Sequence, residues 1–137
     1  MKSSKTLVED AMTRVSTIDI KAAQNLWGQD NVQFVDLREL GELQRDGIIP
    51  GAFHAPRGLL EFWFDRTSDT GKPALTRPGV RYVLFCAAGW RSALAALTLQ
   101  QMGIEQVCHI AGGFSGWKAA GGPCEILDKV RPIKPVP

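Results

Sequence analysis

Apolar residues near the N-terminus recur at three- and four-residue intervals. Leu7, Val8, Ala11, Met12 and Val15 share one face of a helix spanning about residues 5–14. Thr17 and Asp19 are alternative caps for a second helix, about 19–27, with Ala22, Ala23, Leu26 and Trp27 on its inner side. "VQFVDLRE" (32–39) predicts a strand running into a polar end, followed by a short helical stretch near 39–45. "GIIPGAFHAP" (47–56) is a turn leading into a short strand, and "GLLEFWFD" (58–65) is apolar enough for a helix. The Gly, Pro, Ser and Thr of residues 66–79 mark a loop. "RYVLFC" (81–86) is an uninterrupted apolar run of the kind that fills a strand covered on both faces. Residues 92–103 form a helix closed by Gly103, 106–110 another short strand, and 112–122 a tight turn with one or two helical turns. The tail, "RPIKPVP" (131–137), is Pro-rich and extended. Strands alternating with helices predict an α/β domain with a mainly parallel sheet and no internal repeat or dividing linker.

Composition narrows the function classes. A chain of 137 residues is read as one domain and buries roughly two-thirds of its unfolded surface, so it needs neither disulfide nor metal for a core. The net charge of +2, with Lys and Arg scattered singly, argues against nucleic acid as a partner. The N-terminal segment lacks the apolar stretch of a secretory signal, and no run approaches a membrane span. Three cysteines, Cys86, Cys108 and Cys124, with no C-x-x-C, suit neither a disulfide framework nor a zinc site and fit a reducing cytoplasm.

The chemistry concentrates at the end of the apolar run, in "FCAAGWRS" (85–92). Open α/β sheets bind ligands beyond the carboxyl ends of their strands, and Cys86 sits at such an end. Gly89 permits backbone angles that other residues resist, and Ser92 is placed to cap the next helix. The backbone N–H groups of Ala87, Ala88, Gly89, Trp90 and Arg91 can then converge, with the helix dipole behind them and the Arg91 guanidinium nearby. Such a cradle binds anions and lowers a thiol from its usual ~8.5 to roughly 3.5–7.5, making a nucleophile at neutral pH. Taken alone, Cys86 reads equally as a small buried hydrophobe. Core packing, however, does not call for Gly89, Arg91 and Ser92 at those offsets.

From about Thr17 to Cys124 the chain resembles the rhodanese family of sulfurtransferases. "CAAGWRS" follows the family's Cys-x-x-Gly-x-Arg-Ser, "VDLRE" (35–39) its Asp-x-Arg segment, and "GIIPGA" (47–52) its Gly-His-Ile-Pro-Gly-Ala. "IAGGFSGWKAAGGP" (110–123) is similar to its C-terminal glycine and tryptophan block. The resemblance implies a rhodanese-like domain over 16–126, preceded by a helical extension (1–15) and followed by the Pro-rich tail (127–137). The implied fold is a central, mainly parallel sheet with helices on both faces. It further implies a cofactor-free, metal-free sulfurtransferase in which Cys86 takes a sulfane sulfur from a small donor and passes it to cyanide or a thiol. The amides of 87–91 would cradle that sulfur in a two-step, ping-pong reaction, and a protein could serve as donor or acceptor.

Related phosphatases carry one more residue between Cys and Arg, so the six-residue stretch from Cys86 to Arg91 favours sulfur over phosphorus. A thiol phosphatase or arsenate reductase is one alternative. A persulfide relay meeting its partner through Trp90 and residues 58–65 is another. Ile48 replaces the family's usual His, and Ala87, Ala88 and Trp90 stand where thiosulfate-preferring members often have basic residues. Thiosulfate is therefore expected to be a weak donor. Asp36 and Arg38 are read as a buried ion pair that orders loops, with help to substrate binding as the alternative. Trp90 is read as folding down onto the helix, or else as packing against a donor or partner. Phe62, Trp63 and Phe64 are read as core or as a pocket wall, His54 and His109 as structural, and Cys108 as inert. Cys124 is expected near the surface, where a second thiol could take part.

Overall fold

The structure, a computed structural model, describes residues 1–127. Along the chain it runs α1 (Ser4–Met12), β1 (Ser16–Ile18), α2 (Ile20–Leu26), β2 (Val32–Asp36), α3 (Leu40–Asp46) and β3 (Phe53–His54). There follow α4 (Leu60–Trp63), β4 (Arg81–Phe85), α5 (Trp90–Gln101), β5 (Val107–Ile110) and α6 (Gly113–Ala119). The five strands form one parallel sheet in the order β1-β5-β4-β2-β3. The apolar run of β4 lies in the middle because only a strand covered on both faces can be apolar at every position.

Alternation along β4 sorts the two cores. Tyr82 and Leu84, and after them Cys86, join Leu60, Phe64, Ala95, Ala96 and Leu99 on the α4–α5 face. Val83 and Phe85 join Ala23, Phe34, Phe114 and Trp117 on the α2–α6 face. There Phe34 meets both Phe85 and Trp117 edge to face, pairs worth ~0.5–1.5 kcal/mol each beyond their burial. Helices cover both faces of the parallel sheet, as the family resemblance implied. The N-terminal helix is part of the same body: α1 packs on α5 and buries Ala11 completely.

Several boundaries differ from the sequence reading. Residues 16–18 form an edge strand pairing with β5, so Thr17 lies in a strand, and Asp19 alone caps α2 by accepting the Ala22 N–H at 2.8 Å. The strand expected over 32–39 ends at Asp36, because the Asp36 carboxylate takes the Arg38 N–H and turns the chain out of the sheet. The helix expected over 58–65 splits into a 3-10 turn, Arg57–Leu59, and the single turn of α4. Ile48 bridges Glu125 in antiparallel fashion outside the sheet and packs with Leu43 and Leu127. The extended tail expected at 131–137 lies outside the described residues.

Candidate active site

Cys86 follows the last residue of the central strand and is 1% exposed. Its sulfur accepts the Gly89 N–H at 3.2 Å and the Ser92 N–H at 3.4 Å. Gly89 makes this possible. At φ +112° it turns the chain straight from the loop into α5, so helix begins at Trp90, two residues earlier than expected. First-turn amides of a helix have no acceptor within it, and here one of them is spent on the sulfur. The loop is held from behind by α6: Phe114 N–H donates to the Cys86 carbonyl at 2.8 Å and Ser115 N–H to the Ala87 carbonyl at 3.1 Å. With those carbonyls held by α6, the Gly89 and Ser92 N–H groups are left to the sulfur.

Ser92 is not the helix cap. It stands inside the first turn of α5, Gly89 occupies the cap position, and no side chain caps the helix. The freed hydroxyl lies 3.7 Å from Cys86 Sγ, 3.2 Å from the Gly89 carbonyl and 2.9 Å from His109 Nδ1. His109 Nε2 lies 2.9 Å from the Thr17 hydroxyl. Burial holds His109 well below its ordinary value, at about 4, so the ring is neutral at pH 7. His109 touches the site only through Ser92. The sequence reading treated it as structural, since nothing in "QVCHI" shows which face of the strand meets α5.

Arg91 has a partner that the sequence reading missed. Its guanidinium grips Glu42 with two bonds of 2.9 Å, and Glu42 also accepts the Glu39 N–H as the capping box of α3. The Arg91 bonds hold the Glu42 carboxyl down at about 2; in return Glu42 raises Arg91, with Cys86 acting in the same direction. With Glu39 rather than Ser, Thr, Asp or Asn at the cap, neither the capping box nor the bond to Arg91 was signalled by the sequence. Asp36 and Arg38 form a buried pair at 2.7 Å, and Arg38 also donates to the Gly47 carbonyl and lies 4.0 Å over the Phe114 ring. Its Nη1 has no hydrogen-bond partner among the described residues. Arg38, Ala87, Phe114, Ser115 and Lys118 line a shallow pocket of about 410 Å³ beside the loop.

Trp90 does not fold onto the helix: it is 73% exposed, because the first turn of α5 aims its side chain away from the sheet. Phe64 is core, Trp63 packs edge to face on Phe53, and Phe62 points outward. His54 bonds the Arg38 carbonyl. Cys108 is buried, which pushes its thiol up, and Cys124 is exposed. Among the described residues, no three His, Cys, Asp or Glu side chains gather as metal ligands do, and no helix is long and apolar enough to cross a membrane.

Known proteins share this fold. The model of the rhodanese-like domain matches residues 19–120. An uncharacterized protein of Synechocystis sp. is 34% identical over 85% of this chain, which spans 59% of that relative's length. A protein of unknown function from Rhodopseudomonas palustris, described as a possible tyrosine phosphatase, superposes with a TM-score of 0.87 at 42% identity, covering 91% of this chain and 96% of its own. The thiosulfate sulfurtransferase of Pseudomonas aeruginosa superposes with a TM-score of 0.63 at 27% identity, over 82% of this chain and 19% of its own. The family match runs from the cap of α2 to the end of α6 and takes in the Cys86 loop with everything that braces it: this chain belongs to the rhodanese-like domain family.

Proposed function

We propose that this protein is a sulfurtransferase in which Cys86 carries the sulfur. The observation that carries the reading is the Cys86 sulfur at the end of the central strand, receiving two backbone N–H groups at 3.2 and 3.4 Å. A Cys86 thiolate attacks the transferable sulfur of a donor, the bond that holds it breaks (S–S in thiosulfate or a persulfide, C–S in mercaptopyruvate), and the former carrier of that sulfur leaves with the electron pair. The product is a Cys86 persulfide anion whose terminal sulfur reaches into the amides of residues 87–91. A nucleophilic acceptor then attacks that sulfur and the Cys86 thiolate returns, so electrons balance and no cofactor is needed. Arg91 supplies positive charge at the mouth, tempered by Glu42. The Asp36–Arg38 pair, buried and locked to Gly47, braces the loops rather than touching the reacting atoms.

With Arg91 already paired, a small dianion finds little net attraction at the mouth, and thiosulfate serves as a weak donor. The exposed Trp90 beside Cys86 supports a bulkier thiol persulfide or a protein donor, since aromatic side chains at a rim are frequent anchors for partners. The Rhodopseudomonas protein raises phosphatase chemistry as a second reading. Against it stands the six-residue span from Cys86 to Arg91, short by one residue for a phosphate.

Intact-mass spectrometry after incubation with thiosulfate, mercaptopyruvate and a low-molecular-weight persulfide tests the proposal. Wild type gains the mass of one sulfur atom, cyanide removes it as thiocyanate, and Cys86→Ser gains nothing. Thiosulfate loads more slowly than the persulfide. Hydrolysis of a generic aryl phosphate without any sulfur loading would replace this reading with the phosphatase one.

A further inference from the structure

Behind Cys86 a file of hydrogen-bonding groups leads away from the substrate side of the loop. Cys86 Sγ and Ser92 Oγ are 3.7 Å apart, Ser92 Oγ and His109 Nδ1 2.9 Å, and His109 Nε2 and Thr17 Oγ1 2.9 Å. The first three residues are buried, at 1%, 0% and 1% exposure, and Thr17 is exposed. Three different elements, α5, β5 and β1, contribute one member each. A serine hydroxyl donates once and a neutral imidazole offers one donor and one acceptor, so within this file the protons can point from Cys86 towards Thr17 or back from His109 towards Cys86, with the Gly89 carbonyl a further acceptor for Ser92.

We infer that Ser92, His109 and Thr17 are a proton path that carries the Cys86 thiol proton to the surface and leaves Ser92 donating to the thiolate. In the thiol state Cys86 S–H donates to Ser92 Oγ, the Ser92 hydroxyl donates to His109 Nδ1, and His109 Nε2–H donates to Thr17. Ionisation shifts every proton by one place. The thiol proton goes to Ser92, the Ser92 proton to Nδ1, the Nε2 proton to Thr17, and the Thr17 hydroxyl proton to water. The ring stays neutral throughout and changes only its tautomer. The thiolate then receives three donors, the Gly89 and Ser92 N–H groups and the Ser92 hydroxyl. Taking up a proton reverses the sequence.

The surroundings suit a ring that relays without charging. His109 faces Thr17 from β1 and Ser92 from α5, and its register neighbour in β4 is Leu84. Burial alone lowers its affinity for a second proton. The charged groups beside the thiol are Arg91 of α5 and, through it, Glu42 of α3. The Gly89 carbonyl at 3.2 Å is the other acceptor open to the Ser92 hydroxyl. It competes only when Nδ1 already carries the proton. His109 and Ser92 are thus positioning residues for a thiol they help to ionise.

The inference rests on Cys86 as the reacting thiol but needs no sulfur donor to test, so its failure and that of the proposed function are separable. Nitrogen-15 NMR of histidine-labelled protein follows the ring as Cys86 ionises. A His109→Asn variant assigns the signals against those of His54, and iodoacetamide alkylation located at Cys86 by peptide mass follows the thiol. The expected result is a proton on Nε2 at the low-pH end and on Nδ1 once the thiolate forms, with no change of tautomer in Cys86→Ser. His109→Phe is expected to alkylate at Cys86 about tenfold more slowly at pH 7, because Ser92, no longer held by Nδ1, turns its hydroxyl to the Gly89 carbonyl and the thiolate loses that hydrogen bond. His109→Asn, whose amide can donate to Ser92 but cannot pass a proton on to Thr17, is expected to recover only part of the rate lost in His109→Phe. A ring that keeps one tautomer across the Cys86 titration, or shows the same change in Cys86→Ser, overturns the path, whether or not His109→Phe folds.

Discussion

Glu42 shows what a single side chain can decide at this site. It lies 49 residues from Arg91 in the chain, yet takes both of that guanidinium's outward nitrogens at 2.9 Å. Arginine and carboxylate in this two-pronged geometry hold each other firmly, although the Arg91 side chain is 38% exposed and water weakens the pair. Replacing Glu42→Gln keeps the shape and removes the charge. The expected result is a drop of about 1 kcal/mol in unfolding free energy, read from denaturant midpoints. The freed Arg91 is expected to tighten thiosulfate binding by about 1 kcal/mol, roughly fivefold in KM with kcat little changed. An unchanged KM would mean that Arg91 is not the donor's partner. The Cys-x-x-Gly-x-Arg-Ser spacing made Cys86 and Arg91 legible as a pair. Glu42 was not legible, because which carboxylate meets Arg91 depends on how α3 is set against α5.

At the scale of elements, the loop owes its shape to the junction of β4, α5 and α6. Gly113, at φ +55°, begins α6 where its backbone presses on the loop; a Cβ there would collide with the Cys86 carbonyl oxygen and lie 2.7 Å from that of Ala87. Those are the carbonyls that Phe114 and Ser115 hold. Gly113→Ala therefore displaces the cradle itself. We expect at least about tenfold slower sulfur loading and a loss of about 2–3 kcal/mol in stability, from strain in a positive-φ backbone and the clash together. Mass spectrometry and urea unfolding on the same variant check both. Here the sequence was informative: β4, α5, β5 and α6 all stand within a few residues of where patterning put them. The three-residue β1 was not foreseen, since Ser16, Thr17 and Ile18 carry no alternation long enough to detect and become a strand only by pairing with β5.

For the whole molecule, the buried His109 sets the response to acid. His109 takes up a proton near its ordinary 6.5 when unfolded, and only near 4 when folded. Between those values the unfolded state binds more protons, so stability falls as pH falls through that window. The loss is about 1.4 kcal/mol per pH unit and reaches about 3 kcal/mol by pH 4. Glu42, held at about 2 against an ordinary 4.5, extends the decline below pH 4.5 by the same sign: its pairing is lost as it protonates. Urea midpoints from pH 7 to pH 4 should decline for wild type and stay nearly flat for His109→Asn above pH 5. An equal slope in both would place the acid sensitivity elsewhere. The sequence by itself determined the alternating α/β layout, the burial of the apolar β4 and the placing of Cys86 at its end. Those properties follow from local periodicity and from contiguous residues. The tertiary structure alone decided the partner of Arg91, the outward setting of Trp90, the release of Ser92 from capping and its link through His109 to Thr17. Each of these depends on residues far apart in the chain meeting across packed elements, which is information that no local pattern of polar and apolar positions carries.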